Sequence, residues 1–98
     1  MEKLTLESFE NIIKSNNKPI FVYFLTNWSG SCKLLQEYLK KYETNGKYTQ
    51  IEINSEISND IVIKYNITTV PTILIFENCN EINRLTGFSK YDVDQLFN

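Results

Sequence analysis

The sequence predicts an α/β fold, with one domain over residues 1–98 in which a central mixed β-sheet carries helices on both faces. Three observations predict it. Residues 20–25 form a continuous β-favouring run, which is typical of a strand covered on both sides. Strand-like and helix-like periods alternate over the first two thirds of the chain. The last third contains two short strand-like runs and then a helical segment.

The N-terminal third predicts a helix followed by the central strand. Apolar side chains recur at helical spacing after Thr5, which is a suitable N-cap residue; they are Leu6, Phe9, Ile12 and Ile13. The polar run at residues 15–18 ends this helix, and Pro19 opens the strand at residues 20–25. Because that strand is apolar throughout, we expect it in the middle of the sheet.

The middle third predicts a second helix, a second strand and a short third helix. The second helix follows the segment at residues 28–33 and ends near Asn45-Gly46. Its apolar stripe consists of Leu35, Tyr38, Leu39 and Tyr42. Residues 48–53 alternate like a strand, and the short helix beyond them contains Ile57, Ile61, Val62 and Tyr65.

The C-terminal third predicts a β-hairpin and a terminal helix. Residues 72–76 and 81–85 are the strands, joined by Asn78-Cys79-Asn80. Ser89 with Asp92 three residues later resembles a capping box, and the helix that follows turns Val93, Leu96 and Phe97 inward. Cys79 is interpreted as a hairpin-turn residue, with a surface regulatory thiol as the alternative. It lies too far from Cys32 for a disulfide bond.

Composition excludes several classes of function. The formal charge is −2, with 22% charged and 42% hydrophobic residues, which favours neither disorder nor a nucleic-acid partner. The chain has no histidine, which removes the usual Ser–His and Cys–His pairs, and its two cysteines cannot form a four-ligand zinc site. The three glycines stand alone, so nucleotide binding has no support. We expect no metal and no cofactor.

The sequence also predicts the cellular compartment of the chain. The apolar run at residues 20–25 is far shorter than the ~20 residues that a membrane-spanning helix needs. The first residues contain no basic stretch leading into an apolar one, so nothing marks the chain for secretion. Two cysteines far apart in sequence suit a reducing compartment. We therefore expect a cytoplasmic monomer without a membrane partner.

The most informative segment is Trp28-Ser29-Gly30-Ser31-Cys32-Lys33, which lies between a strand-like run and a helix-like run. Two cysteines separated by two residues at such a place form a redox dithiol, because a helix N-terminus stabilises the thiolate that attacks a disulfide. Here the first position of the pair holds Ser29. A serine hydroxyl provides no comparable anion, so the segment has the pattern of a redox site without its nucleophile.

This segment, together with the order of elements, resembles the thioredoxin family over nearly the whole chain. The family pattern W-C-G-P-C-K matches at Trp28, Gly30, Cys32 and Lys33, and it departs at Ser29 and Ser31. Thr69-Val70-Pro71-Thr72 is similar to the family segment whose proline is cis and lies against the redox motif. Gly87 matches a family glycine that lets the substrate backbone approach.

The resemblance implies a thioredoxin fold with a cis Pro71 before the C-terminal hairpin, and it implies roles for the site residues. Ser29 takes the position of the nucleophilic cysteine and Cys32 that of the resolving thiol. The residues that the resemblance implies for substrate binding are Trp28, Gly30, Ser31, Val70, Pro71 and Gly87. Gly30 is also expected to adopt backbone angles that other residues resist. The implied partners are protein disulfides and an electron donor such as thioredoxin reductase.

A further departure concerns proton transfer. Thioredoxins commonly carry a buried carboxylate six residues before the first motif cysteine, where it helps move the proton of the second thiol, and this chain has Tyr23 there. The resemblance therefore implies a weakened or retuned redox site, in which water, the Tyr23 hydroxyl or a more distant group moves the proton.

Three hypotheses about function follow. In the simplest one, the chain is an engineered, inactive form of a thiol–disulfide oxidoreductase with a Cys-Gly-Ser-Cys motif. In the second, it is a natural, redox-silent module of the same fold that holds an extended peptide in the groove beside Val70. In the third, it is a monothiol protein that uses Cys32. The substrate proteins, electron donor and reduction potential lie beyond what the sequence predicts.

Overall fold

The computed structural model describes residues 4–42 and 48–97 and contains a four-stranded sheet with helices on both faces. The α-helices are α1 (Leu6–Ser15), α2 (Gly30–Leu39), α3 (Asn59–Lys64) and α4 (Lys90–Phe97). The strands are β1 (Ile20–Leu25), β2 (Thr49–Asn54), β3 (Thr72–Glu77) and β4 (Asn80–Thr86). None of the helices in the described residues is long and apolar enough to cross a membrane.

The sheet has the order β2-β1-β3-β4, so β1 lies inside it as the sequence predicted. Strand β1 pairs parallel with β2 and antiparallel with β3, and β3 pairs antiparallel with β4. The predicted mixed sheet and C-terminal hairpin are therefore confirmed. The hairpin turn is shorter than predicted, because Asn80 already belongs to β4 and only Asn78 and Cys79, both at positive φ, form the turn.

Side chains of β1 alternate between two cores, one on each face of the sheet. Ile20, Val22 and Phe24 pack with residues of α1 and α3, including Phe9 and Ile61. The other three residues of β1 pack with α2 and α4, and their cluster consists of Phe21, Tyr23, Leu25, Cys32, Leu35, Leu39, Ile73, Ile75 and Val93. All six residues of β1 are buried, which explains the continuous apolar run.

Side-chain hydroxyls cap the N-termini of α1 and α4. Thr5 caps α1, with its Oγ1 accepting a hydrogen bond from the Ser8 N–H at 3.1 Å, as the sequence predicted. Ser89 likewise accepts from the Asp92 N–H at 3.3 Å at the start of α4. The predicted end of α2 near Asn45-Gly46 is wrong, because the α-helix stops at Leu39 and continues as a 3₁₀ helix over Lys40–Tyr42. Asn45 and Gly46 themselves lie outside the described residues.

A polar cluster fastens α4 to α2 and the 3₁₀ helix. The Tyr38 hydroxyl lies 2.7 and 2.8 Å from the two carboxylate oxygens of Asp94, and the Tyr42 hydroxyl also donates to Asp94. Lys41 Nζ lies 3.4 Å from the same carboxylate. The hydrogen bond from Tyr42, followed by that from Tyr38, holds the pKa of Asp94 below its usual value of 3.8.

We expect Asp94→Asn to lower the urea midpoint of unfolding at neutral pH. A carboxylate whose folded pKa is depressed contributes stability above its unfolded pKa, and it loses this contribution as the pH falls through the folded value. The difference between the parent and Asp94→Asn should therefore shrink below about pH 4. Midpoints measured across this range test the expectation. Glu56→Gln, the same charge change at an exposed position outside this cluster and outside the helices, is the matched control and should leave the midpoint nearly unchanged.

Candidate functional site

The motif forms the corner where β1 turns into α2. Ser29 is extended, with φ −82° and ψ 125°, and it is the N-cap of α2. Its Oγ accepts a hydrogen bond from the Cys32 N–H at 3.3 Å, and its carbonyl oxygen accepts from the Lys33 N–H at 3.2 Å. Serine is among the preferred N-cap residues because its short side chain satisfies an amide that the helix leaves free. The side chain at position 29 thus lies at the positive end of α2.

Cys32 lies in the first turn of α2 and is fully buried, with 0% of its surface exposed. Its sulfur accepts a hydrogen bond from the Thr26 N–H at 3.4 Å, and the Thr26 hydroxyl lies 4.0 Å from it. Thr26 was not predicted as a site residue. The only signal in the sequence is its place directly after β1 and six residues before Cys32, and that signal does not indicate a contact with the sulfur.

The remaining motif residues face solvent. Trp28 is 71% exposed, and Gly30 and Ser31 are also exposed. The expectation that Gly30 adopts backbone angles unfavourable to other residues is wrong, because Gly30 begins α2 and a Cβ there would meet nothing within 4 Å. The backbone does not require glycine at this position. The predicted roles of these residues in binding a substrate stay predictions.

The second predicted segment reaches the same end of the sheet as the motif. The Val70–Pro71 peptide bond is cis. Thr72 pairs with Phe24 near the end of β1, so Pro71 lies beside the corner that carries the motif. Val70 packs against the buried cluster that contains Cys32. The structure therefore brings Val70 and Pro71 to the region of Ser29 and Cys32.

Gly87 joins this region through a hydrogen bond, in which its N–H donates to the Pro71 carbonyl oxygen at 2.8 Å. It has a φ of +76°, in the left-handed region that glycine adopts at low cost. A side chain at this position would be strained even though a Cβ would meet nothing within 4 Å. The positive φ of the backbone after β4 thus explains why a glycine occupies position 87.

Tyr23 lies on β1, on the same face of the sheet as Cys32. It is 2% exposed, and its hydroxyl has no hydrogen-bond partner among the described residues. Burial raises the pKa of the phenol far above its ordinary value, and the carboxylate of Glu52 on β2 raises it further. Tyr23 is therefore neutral at physiological pH.

Cys79 does not belong to this site. It occupies the hairpin turn next to α1, where its sulfur lies 3.9 Å from the Ile13 carbonyl oxygen. The hairpin turn lies near the start of β1, where Ile20 pairs with Phe76, whereas the motif follows the end of that strand. Both cysteines are free thiols. In the described part of the chain, no group of three or more His, Cys, Asp or Glu residues is placed to hold a metal ion.

Comparison with known proteins gives one consistent result. The family model described as Thioredoxin matches residues 1–97. The thioredoxin of Mycoplasma genitalium is 36% identical over 96 residues, which cover 96% of this chain and 93% of that protein. A solved structure of Plasmodium falciparum thioredoxin superposes with a TM-score of 0.85 at 25% identity, covering 99% of this chain and 96% of that one.

The chain also resembles part of a larger protein. A peptide-N(4)-(N-acetyl-beta-glucosaminyl)asparagine amidase of Caenorhabditis briggsae is 30% identical over 73 residues, which cover 74% of this chain but only 12% of the amidase. The similarity to the amidase is therefore confined to a small part of that protein. Domains of this kind thus occur both alone and within longer chains.

Proposed function

The chain belongs to the thioredoxin family, and we propose that it is a thiol–disulfide oxidoreductase whose reaction with protein disulfides is blocked at the first step by Ser29. The observation that carries the proposal is the position of Ser29 Oγ, which caps α2 and accepts from the Cys32 N–H at 3.3 Å. A sulfur at this place would lie at the positive end of a helix, where the pKa of a cysteine thiol is lowered.

The arrangement supports a two-step reaction once a thiol stands at position 29. In the first step, its thiolate attacks a substrate disulfide, forming a mixed disulfide and releasing one substrate thiolate. In the second step, Cys32 attacks the sulfur at position 29, the bond between the two motif sulfurs forms, and the second substrate thiolate leaves. The motif loses two electrons and the substrate gains them, while the substrate sulfurs take up protons.

Ser29 is close in shape to cysteine and keeps this corner intact. Its hydroxyl occupies the N-cap position of α2, and Cys32 stays buried beneath it. These features support the proposal that Ser29 stands where the active form has a cysteine, as in an engineered cysteine-to-serine variant. The proposed partners are protein disulfides and a reductase that supplies electrons.

The second candidate is a redox-silent module that binds an extended peptide in the same region. The 71% exposure of Trp28 favours it, because an exposed aromatic ring beside an intact corner offers a binding surface without chemistry. The third hypothesis, a monothiol protein, is disfavoured by the complete burial of Cys32.

The experiment that separates the first two candidates is Ser29→Cys followed by an assay of protein disulfide reduction with a dithiol donor. A gain of turnover supports the oxidoreductase. A variant that folds and shows no gain contradicts it and leaves the peptide-binding module as the better explanation.

A further inference from the structure

The side of the sheet that carries α4 is covered only in part. Helix α4 has eight residues and is therefore about 12 Å long, whereas the seven residues of β4, the strand before it, span about 23 Å. Asn83 of β4 pairs with Ile75 of β3, so both side chains face this side of the sheet. Ile75 is buried in the cluster beneath α4, but Asn83 is exposed. Part of the sheet beside α4 is thus open to solvent.

A cavity of about 380 Å³ occupies this opening, between α4 and the sheet. Its volume lies within the range of about 300–1,000 Å³ that is common for small-molecule sites. Much of its lining is apolar and comes from several elements: Phe21 of β1, Ile75 of β3, Leu85 of β4, Leu96 of α4, and Tyr48 directly before β2. The cavity can therefore accept the apolar part of a ligand.

The cavity lies away from the motif. Pro19 and Glu77 also line it, and they lie at the start of β1 and the end of β3, where Ile20 pairs with Phe76. The motif follows the opposite end of β1. None of the residues predicted for the redox site lines this cavity. What it binds is therefore independent of the proposed function.

The charged groups of the cavity are acidic. Two exposed carboxylates line it, those of Glu77 at the end of β3 and of Asp92 in the first turn of α4. Among the described residues, neither carboxylate forms an ion pair, and no lysine or arginine lines the cavity. Because a carboxylate is stabilised by an opposite charge nearby, a ligand in this cavity gains affinity from a positive charge.

Tyr48 adds an aromatic group to the same lining. Its ring centroid lies 4.7 Å from that of Phe21 and 5.6 Å from that of Phe97, so the ring is held by packing on two sides. Aromatic rings attract organic cations through the negative face of the ring. An apolar lining, two carboxylates and an aromatic ring together match a ligand that carries an ammonium group on an apolar body.

We infer that this cavity binds a small organic cation, with its apolar body against the strands and its ammonium group beside Glu77 and Asp92. The surroundings favour a small ligand over a protein partner. Among the lining residues, Ile82 is the one large apolar side chain that is mostly exposed, at 55%. A stable protein interface buries about 800 Å² on each partner, and a single exposed isoleucine beside carboxylates and amides supplies little of that area.

The test measures the affinity of the full chain for phenylbutylamine and for two probes of similar shape, the neutral phenylbutanol and the anionic phenylbutyrate. We expect the amine to bind about tenfold more tightly than the alcohol, since each of two exposed ion pairs contributes about threefold. The acid should bind more weakly than the alcohol, because the carboxylates repel it. In amide NMR spectra, the signals of Asn83 and Gln95 should shift on binding, since both residues line the cavity.

Variants of the carboxylates show whether charge carries the preference for the amine. Glu77→Gln should weaken binding of the amine about threefold and leave that of the alcohol unchanged. With Asp92→Asn added, the amine and the alcohol should bind equally, and retained binding of the alcohol shows that the cavity is still formed. Glu56→Gln is the matched control, because it removes an exposed carboxylate that does not line the cavity.

Asn83→Trp places a large side chain in the opening and should abolish binding of both the amine and the alcohol. Equal affinity of the parent for the two probes overturns the inference, as does the absence of saturable amine binding at millimolar concentrations. Shifts confined to Leu34 and Phe88, which line a separate cavity next to α2, would place the probe elsewhere and also overturn it. Self-association of the chain that Asn83→Trp disrupts would identify a second copy as the occupant instead.

Discussion

Ser29→Cys is expected to accelerate reduction of a protein disulfide at least about a hundredfold over the parent chain, since removal or restoration of a nucleophile changes enzymatic rates by this much or more. The reason lies in the corner between β1 and α2. The side chain at position 29 caps α2, and the amide of Cys32 already points at it. A thiolate there would be stabilised by the same amide and by the helix dipole. Turnover of a disulfide-linked protein with a dithiol donor provides the measurement.

Two control variants identify which feature of the corner produces the gain. Ser31→Cys places a thiol one residue beyond the start of α2, on an exposed side chain that does not cap the helix, and it should give little turnover. Ser29→Cys combined with Cys32→Ser should carry out the first step alone, so that a mixed disulfide with the substrate accumulates. Equal turnover in Ser29→Cys and Ser31→Cys would show that position 29 has no special reactivity.

The fold was largely predictable because its main signals are local. The apolar run of β1 and the spacing of apolar residues in α1 report burial directly, and both elements lie where the sequence placed them. The end of α2 was missed because the apolar stripe continues through Tyr42, while the backbone tightens into a 3₁₀ helix after Leu39. Tyr42 instead turns its hydroxyl to Asp94, a contact between residues far apart in the sequence.

The candidate site was predictable only in part, for a similar reason. The motif and its N-cap are local, so Ser29 could be placed at a helix N-terminus from the sequence. The contact between Thr26 and the Cys32 sulfur depends on how the chain turns between β1 and α2. The position of Glu52 opposite Tyr23 depends on the pairing of β1 with β2. Neither feature has a signature within a short stretch of sequence.

The residues of the proposed chemistry lie on one face of the sheet, and the other face carries a separate buried cluster. Cys32 and Tyr23 belong to the cluster on the side of α2 and α4, and Val70 packs against that cluster. The cluster on the side of α1 and α3 contains none of the predicted site residues and has Phe9 fully buried within it. A substitution in this second cluster should therefore change stability without altering the corner that carries Ser29.

Phe9→Ala is expected to lower the free energy of unfolding by about 3–5 kcal/mol, the range found when a buried phenylalanine is truncated to alanine. The Phe9 ring makes edge-to-face contacts with Tyr65 at 5.4 Å and with Phe76 at 6.0 Å between ring centroids, so it joins α1 to the end of α3 and to β3. Truncation leaves a cavity between these elements and removes both aromatic contacts. Urea unfolding followed by circular dichroism measures the change.

Tyr91→Ala is the matched control, because Tyr91 is also an aromatic residue of a helix but is 71% exposed. It should change the free energy of unfolding by less than about 0.5 kcal/mol, as is usual for substitutions on a surface. Phe9→Leu should fall between the two because it fills part of the space. If Phe9→Ala and Tyr91→Ala had equal effects, α1 would contribute nothing to the core through Phe9, and the packing of α1 against the sheet would be refuted.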